Sequence, residues 1–246
     1  MLHRRLASLL LAAVVLSAAG HFARAEPRAL LELFTSQGCS SCPAADKLLG
    51  EFAGDSSLVA ISIPIDYWDY LGWKDTLATP QHSARQRGYA RARGDRQVYT
   101  PQVVVNGAVH ALGSDRAAIE RAIAQTRRNA LIMSLPITMT VDGSQLNVNV
   151  QTVKDEKSSG EVWLCPLSKA VSVKIGRGEN HGRTVTYHNV VRHWIKLGDW
   201  TGKVTSWNVP ITDLKSEDVD SAAVMIQSGT HDKPGVILGT ALSQLH

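Results

Sequence analysis

The chain has 246 residues, 44% of them hydrophobic, 20% charged and 6% aromatic, with a mean hydropathy of −0.08. That balance is too apolar for a disordered chain and too charged for a multi-pass membrane protein. Three cysteines are too few for a disulfide-rich mini-protein, and the formal net charge is only +4.

The first residues account for most of that charge. Arg4-Arg5, an apolar run from Leu6 to Gly20 and the stretch Ala23-Arg24-Ala25 are the three parts of a secretory signal peptide. The run falls short of the roughly 20 residues needed to span a bilayer. Cleavage after Ala25 takes away three arginines and no acid, leaving 221 of the 246 residues with 23 basic against 22 acidic side chains. So even a balance gives no support to a nucleic-acid partner or an anionic membrane surface. The chain is therefore expected to be periplasmic or secreted, with no membrane anchor after signal cleavage, and its cysteines meet an oxidising environment.

Residues 26–129 read as alternating strands and helices. Ala29 to Phe34 is a nearly continuous apolar run, as in a central strand covered on both faces. Cys42, Ala45, Leu48, Leu49 and Phe52 then recur at helical spacing, with Pro43 in the first turn and Gly54 as C-cap. Leu58 to Ile65 is a second buried strand, followed by the aromatic loop Asp66–Trp73. A helix over Gln81–Arg93 places Ala84, Gly88, Tyr89 and Ala92 inward and its arginines (Arg85, Arg87, Arg91, Arg93, with Arg96 beyond) on a solvated face. Gln102–Val105, the turn Asn106-Gly107 and Val109–Leu112 form a hairpin, and Ser114 caps a last helix.

The pattern changes near Asn129. Residues 130–246 hold eight strand candidates: 137–141, 146–150, Glu161–Cys165, Ala170–Ile175, Thr184–Leu197, Val204–Ile211, Ala222–Gln227 and Val236–Ala241. Many short alternating strands in one span predict a sandwich-like all-β domain. Trp163, Trp194, Trp200 and Trp207 fall here and are expected in its core or at strand edges.

The chemistry lies in Gly38-Cys39-Ser40-Ser41-Cys42-Pro43, between a buried strand and an amphipathic helix. Two thiols three apart at a helix start can close a small disulfide, and the helix terminus stabilises the thiolate of the outer one. Cys39, at the cap, is expected to be accessible and to attack; Cys42, on the apolar stripe, is expected to be recessed and to resolve the mixed disulfide. No second CxxC and no nearby Cys/His pair completes a zinc site.

Thr100-Pro101 opens the third strand. A proline there means either that the strand starts at that point or that the Thr–Pro bond is cis. Here the chain resembles the thioredoxin-fold superfamily, in which a CxxC opens the first helix and a cis-proline faces it. The resemblance implies that Thr100 and Pro101 offer the substrate-docking edge. The strings Phe34–Pro43, Asp66-Tyr67-Trp68 with Leu71-Gly72-Trp73, and Gly178-Glu179-Asn180 before Tyr187–Arg192 are further similar to an exported bacterial family catalogued as domain of unknown function 1223. That similarity spans essentially the whole mature chain and implies a thioredoxin-like domain with a β-rich tail. The thioredoxin branch keeps a buried acid six residues before its first cysteine; Leu33 stands there, while Glu32 points to the opposite sheet face.

The remaining candidates read as structural. Cys165 shares a strand face with Trp163 and is expected to be a buried free thiol, the sharper alternative being a third redox thiol. His181, His188 and His193 lie close in sequence with Glu179, but His188 and His193, five apart, fall on opposite faces of a straight strand, and the spacing of Gly176, Gly178 and Gly182 is not that of a nucleotide loop. The aromatic loop, with Tyr67 and Trp68, either borders the thiol pair and shapes what docks there or packs between the halves.

These observations predict an α/β thioredoxin-like domain followed by an all-β sandwich-like domain. The expected function is an exported thiol–disulfide oxidoreductase that exchanges disulfides with protein thiols. Cys39 and Cys42 are its catalytic pair, Thr100, Pro101, Tyr67 and Trp68 its docking residues, and no cofactor or metal is expected. The alternatives are a binding or assembly module with a structural Cys39–Cys42 disulfide, and a Cu(I) site on the two thiolates.

Overall fold

A computed structural model of the chain describes residues 26–151, 159–214, 216 and 218–245. The expected signal peptide and its cut after Ala25 lie outside the described residues. Among those residues no helix is long and apolar enough to cross a membrane.

The described residues are mostly β, with three α-helices among them. β1 (Ala29–Thr35) leads through the CxxC to α1 (Cys42–Ala53), then β2 (Leu58–Pro64), α2 (Pro80–Arg93), β3 (Gln102–Val105), β4 (Val109–Leu112) and α3 (Arg116–Thr126). β5 (Ile137–Asp142), β6 (Gln145–Val150), β7 (Gly160–Lys174), β8 (Thr184–Val191), β9 (Ile195–Trp200), β10 (Thr205–Pro210), β11 (Ser221–Thr230) and β12 (Lys233–Gln244) follow. A mixed nine-stranded sheet runs β12-β11-β7-β8-β2-β1-β3-β4, with β9 paired to β7, and a three-stranded sheet runs β10-β6-β5. Strands from both sides of Asn129 share the large sheet, because β8 lies parallel to β2 at Ser62 and Val190.

Alternation along each strand decides which layer a side chain enters. In β1, Ala29, Leu31 and Leu33 join Leu48, Leu49, Phe52 and Ile119 under α1 and α3, while Leu30 and Phe34 face the other way. That second face is filled from both halves: Ile61, Ile63 and Tyr89 pack with Trp163, Cys165, Leu167, Met225 and Ile237. The intervening residues Val162, Leu164, Val224 and Ile226 pack instead on Leu146, Val148 and Val150 of the small sheet.

Several expected elements shift. The two candidates 161–165 and 170–175 are one strand, β7, which pairs with β11 up to Leu167 and with β8 beyond it. The single strand expected over Thr184–Leu197 is interrupted at residues 192–194 and becomes β8 and β9. Asp115 rather than Ser114 caps α3, its carboxylate accepting from the Ala118 N–H at 2.9 Å. The Asn106-Gly107 turn is present, with φ of 52° and 68° that suit asparagine and glycine.

The largest correction is Arg85. Far from lying on a solvated face, it is buried against Glu32, with Nε donating to Oε1 at 2.6 Å. Its guanidinium also donates to the Tyr89 hydroxyl at 2.8 Å and to Gln227 Oε1 at 3.0 Å, and lies 4.4 Å from the Trp194 ring centroid. Tyr89 in turn donates to the second Glu32 oxygen. Both charges are thus paired, and Nε and Nη2 of the guanidinium and both Glu32 oxygens have partners, as a buried ion pair requires. Arg87, Arg91 and Arg96 remain exposed.

Candidate functional site

The CxxC leaves the end of β1 and enters α1. Cys39 and Cys42 are joined as a disulfide with Cα atoms 5.4 Å apart. The Cys42 N–H donates to the Cys39 carbonyl at 3.1 Å, closing the turn that precedes the helix. Cys42 is recessed as expected. Cys39 is not accessible as expected: it is only 4% exposed, with its sulfur 3.4 Å from the Ser41 hydroxyl.

The register of β1 against β3 explains why Thr100-Pro101 belongs to this region. Phe34 pairs with Gln102, so the two residues before Gln102 lie beside the end of β1, where the CxxC begins. The Thr100–Pro101 peptide is cis. Trp68 joins the two segments: its Nε1 donates to Thr100 Oγ1 at 2.7 Å, and its Cβ sits where a Cβ on Gly38 would come within 3.0 Å. A larger residue would require Trp68 to give by a few tenths of an ångström. Tyr67 is half-buried beside α2, its hydroxyl donating to Gln86 at 3.2 Å. Tyr70, in the same loop, is 75% exposed and stacks on Trp68 with centroids 6.1 Å apart.

The same loop grips the CxxC from below. Trp73 Nε1 donates to Gln37 Oε1 at 2.7 Å, and Asp75 Oδ2 accepts from the Gln37 N–H at 2.8 Å. From the β7–β8 connection, Asn180 Nδ2 donates to the carbonyls of Gln37 and Cys39 at 3.0 and 2.8 Å. Glu179 Oε2 accepts from the Ser40 N–H at 3.3 Å. Neither residue was expected at the site; the signal was their string, Gly178-Glu179-Asn180, whose similarity to a family ran on far from the CxxC.

Asp46 lies one helical turn after Cys42 on the same side of α1. It is 2% exposed, and neither carboxylate oxygen has a hydrogen-bond partner among the described residues. Burial pushes its carboxyl up to about 8, the neighbouring Asp75 adds to the shift, and Thr35 offsets only part of it. Asp75 is raised to about 6, again chiefly by burial, against the backbone N–H groups it accepts from. Tyr187 of β8 is buried beside both acids and stays neutral. An acid on the apolar stripe of the CxxC helix was the sequence signal for Asp46.

Other candidates fall elsewhere. Cys165 is a free buried thiol on the opposite side of the sheet from α1, its acidity suppressed by burial. His181 and His193 are exposed, and the His188 ring packs against Gly50. Among the described residues no three His, Cys, Asp or Glu side chains come together as a metal site.

The model of a family described as a protein of unknown function (DUF1223) matches residues 30–227. The chain belongs to the DUF1223 family. It is similar to a crystal structure of a protein from Agrobacterium tumefaciens, at 27% identity and a TM-score of 0.80. That match covers 90% of this chain and 96% of the other. No curated protein matches the chain. All three strings that carried the resemblance to DUF1223 meet around the CxxC segment: 34–43 holds the disulfide, 66–73 brings Trp68 to Thr100 and Trp73 to Gln37, and 178–192 brings Glu179 to Ser40, Asn180 to Gln37 and Cys39, and Tyr187 to the two buried acids.

Proposed function

We propose that this DUF1223 protein is an exported thiol–disulfide oxidoreductase of the periplasm or extracellular space. It carries a thioredoxin-like unit over residues 26–129, joined to a sandwich-like β-rich unit. The observation that carries the reading is the disulfide at the N-terminus of α1, between β1 and the Thr100-Pro101 edge. The order β1-α1-β2-α2-β3-β4-α3, with β2-β1-β3-β4 in the sheet, supports the thioredoxin-like part.

In the reduced protein the Cys39 thiolate attacks one sulfur of a substrate disulfide, and the other substrate sulfur leaves as a thiolate. Cys42 then gives up its proton, to the buried Asp46 one turn along where that carboxyl is ionised, near and above about pH 8, and to water otherwise. Its sulfur attacks Cys39, the Cys39–substrate bond breaks, and the substrate leaves with a second reduced sulfur. Two electrons pass from the protein dithiol to the substrate. The reverse sequence oxidises substrate dithiols. Thr100, Pro101, Tyr67 and Trp68 form the docking edge for an extended segment, and exposed Tyr70 extends it.

The test is capture. Cys42→Ser should accumulate mixed disulfides through Cys39, seen as dithiothreitol-reversible mass increments, and the additional change Cys39→Ser should abolish them. Absence of adducts, together with a Cys39 that alkylates no faster than a free thiol at neutral pH, overturns the reading. The low exposure of Cys39 favours one rival, a binding or assembly module with a fixed disulfide. That rival predicts a reduction potential below about −300 mV and no exchange with glutathione.

A further inference from the structure

The turn between β7 and β8 comes from a part of the chain remote from the CxxC, yet its polar atoms converge there. Asn180 is 1% exposed and directs Nδ2 at two carbonyls of the CxxC segment, while its own Oδ1 is buried without a partner among the described residues. Its amide is arranged around the disulfide loop rather than around itself. Glu179 is exposed, and its carboxylate takes the Ser40 N–H. Ser40 follows Cys39 and precedes the N-cap Ser41, so the carboxylate sits at the positive end of α1, whose field favours a thiolate on Cys39.

We propose that the Gly178–Asn180 turn is a working part of the redox site, Asn180 fixing the Gln37–Cys39 backbone and Glu179 restraining the reactivity of Cys39. This rests on the thiol–disulfide reading above. Two physical effects act together. The Glu179 carboxylate takes up the N–H of the residue next to Cys39, and it brings a negative charge to the helix end that would otherwise stabilise a thiolate there. Both favour the thiol. Glu179 is thus a positioning residue that sets how readily Cys39 ionises.

The other ionisable groups around the segment are accounted for. Asp75 from the aromatic loop holds the Gln37 N–H, Asp46 from α1 keeps its proton until about pH 8, and Tyr187 from β8 is neutral. Of these, Glu179 alone is solvent-exposed, so it can be changed without disturbing the core.

The experiment uses the full mature chain. In a Cys42→Ser background, iodoacetamide alkylation of Cys39 is followed against pH with and without Glu179→Gln, which keeps an oxygen acceptor and removes the charge. In the two-cysteine protein the equilibrium with glutathione is measured for the same pair. Glu179→Gln should move the alkylation midpoint to lower pH and speed the reaction below that midpoint about threefold to tenfold, the range a single charge at a helix terminus commands. The glutathione equilibrium should move toward the reduced protein by a similar factor. Glu179→Ala should act in the same direction, and Glu179→Asp should restore part of the parent profile. If Gln and Ala variants leave both readouts within twofold of the parent, the assignment of Glu179 is wrong. A parent that does not exchange with glutathione overturns the thiol–disulfide reading instead. The alkylation profile reports on Glu179 in either case.

Discussion

Asp46 has given up its water for an environment that returns no hydrogen bond, so its carboxyl holds a proton well above the usual carboxylate range. Between about pH 4 and about 8 the folded protein keeps a proton that the unfolded chain has lost. Its contribution to stability is therefore full at low pH and falls as pH rises through that window. Asp75, raised to about 6, acts in the same sense. His82 acts in the opposite one: burial lowers it to about 4, and its Nδ1 sits 2.8 Å from the Pro64 carbonyl, so stability rises with pH between about 4 and 6.5. The interval from 6.5 to 8 is left mainly to Asp46. Asp46→Asn should flatten the parent's decline there and be the more stable protein at pH 8 by about 1–3 kcal/mol, read from urea midpoints. A parallel pH dependence in the two proteins would contradict this. Under the proposed chemistry the same change should also slow release of substrate from the Cys39 adduct near and above about pH 8, where the parent's Asp46 is ionised and can take the Cys42 proton.

Helix α2 shows how an element's partners override its own pattern. Its periodicity pointed to an apolar side of Ala84, Gly88, Tyr89 and Ala92, yet the buried side carries His82, Arg85, Gln86 and Tyr89. The reason is Glu32, whose carboxylate stands on the face of β1 that α2 covers. Removing one partner leaves an unpaired buried charge, so Arg85→Ala should lower stability by about 3–5 kcal/mol in chemical denaturation. The double change Glu32→Leu with Arg85→Met should recover most of that loss, because neither charge is then left without its partner. Failure of the double variant to exceed the single one would show that the hydrogen bonds to Tyr89 and Gln227 dominate. Such pairings are invisible along the chain, since 53 residues separate Glu32 from Arg85. Elements governed by their own sequence were legible: β1 and β2 as unbroken apolar runs, α1 from its stripe and its proline, the hairpin from Asn106-Gly107. β7 was not, because Pro166 and Lys169 interrupt its pattern where it passes from one neighbour to the other. At the site the cysteines and the proline could be read directly. Asn180 and Glu179 could not, because nothing near them marks which loop they meet.

The whole molecule is built around a layer that neither half completes. Leu30, Phe34, Ile61 and Ile63 face Trp163, Met225 and Ile237 across it, and the Ile237 N–H donates to the Asn106 carbonyl at 2.9 Å. A fragment of residues 26–129 leaves α2 as that side's main cover and strips Gln227 and Trp194 from the Glu32–Arg85 pair. It should bind a hydrophobic dye and melt without a cooperative transition in calorimetry, whereas the mature chain should melt in one. A sharp, independent transition in the fragment would overturn this.

The join between β2 and β8 is the shortest pairing in the large sheet: Ser62 meets Val190, and Asn189, at φ 48°, turns its side-chain amide onto the Ala60 carbonyl at 2.9 Å. The disulfide is carried on one side of that join, by β1 and α1, and the turn that grasps it hangs from β8 on the other. The backbone around the sulfur–sulfur bond is therefore held from both sides of that join. Backbone amides at Ser62 and Val190 should exchange with deuterium at different rates in the oxidised and reduced protein, making this seam a built-in strain gauge for the chemistry of two cysteines that it never touches.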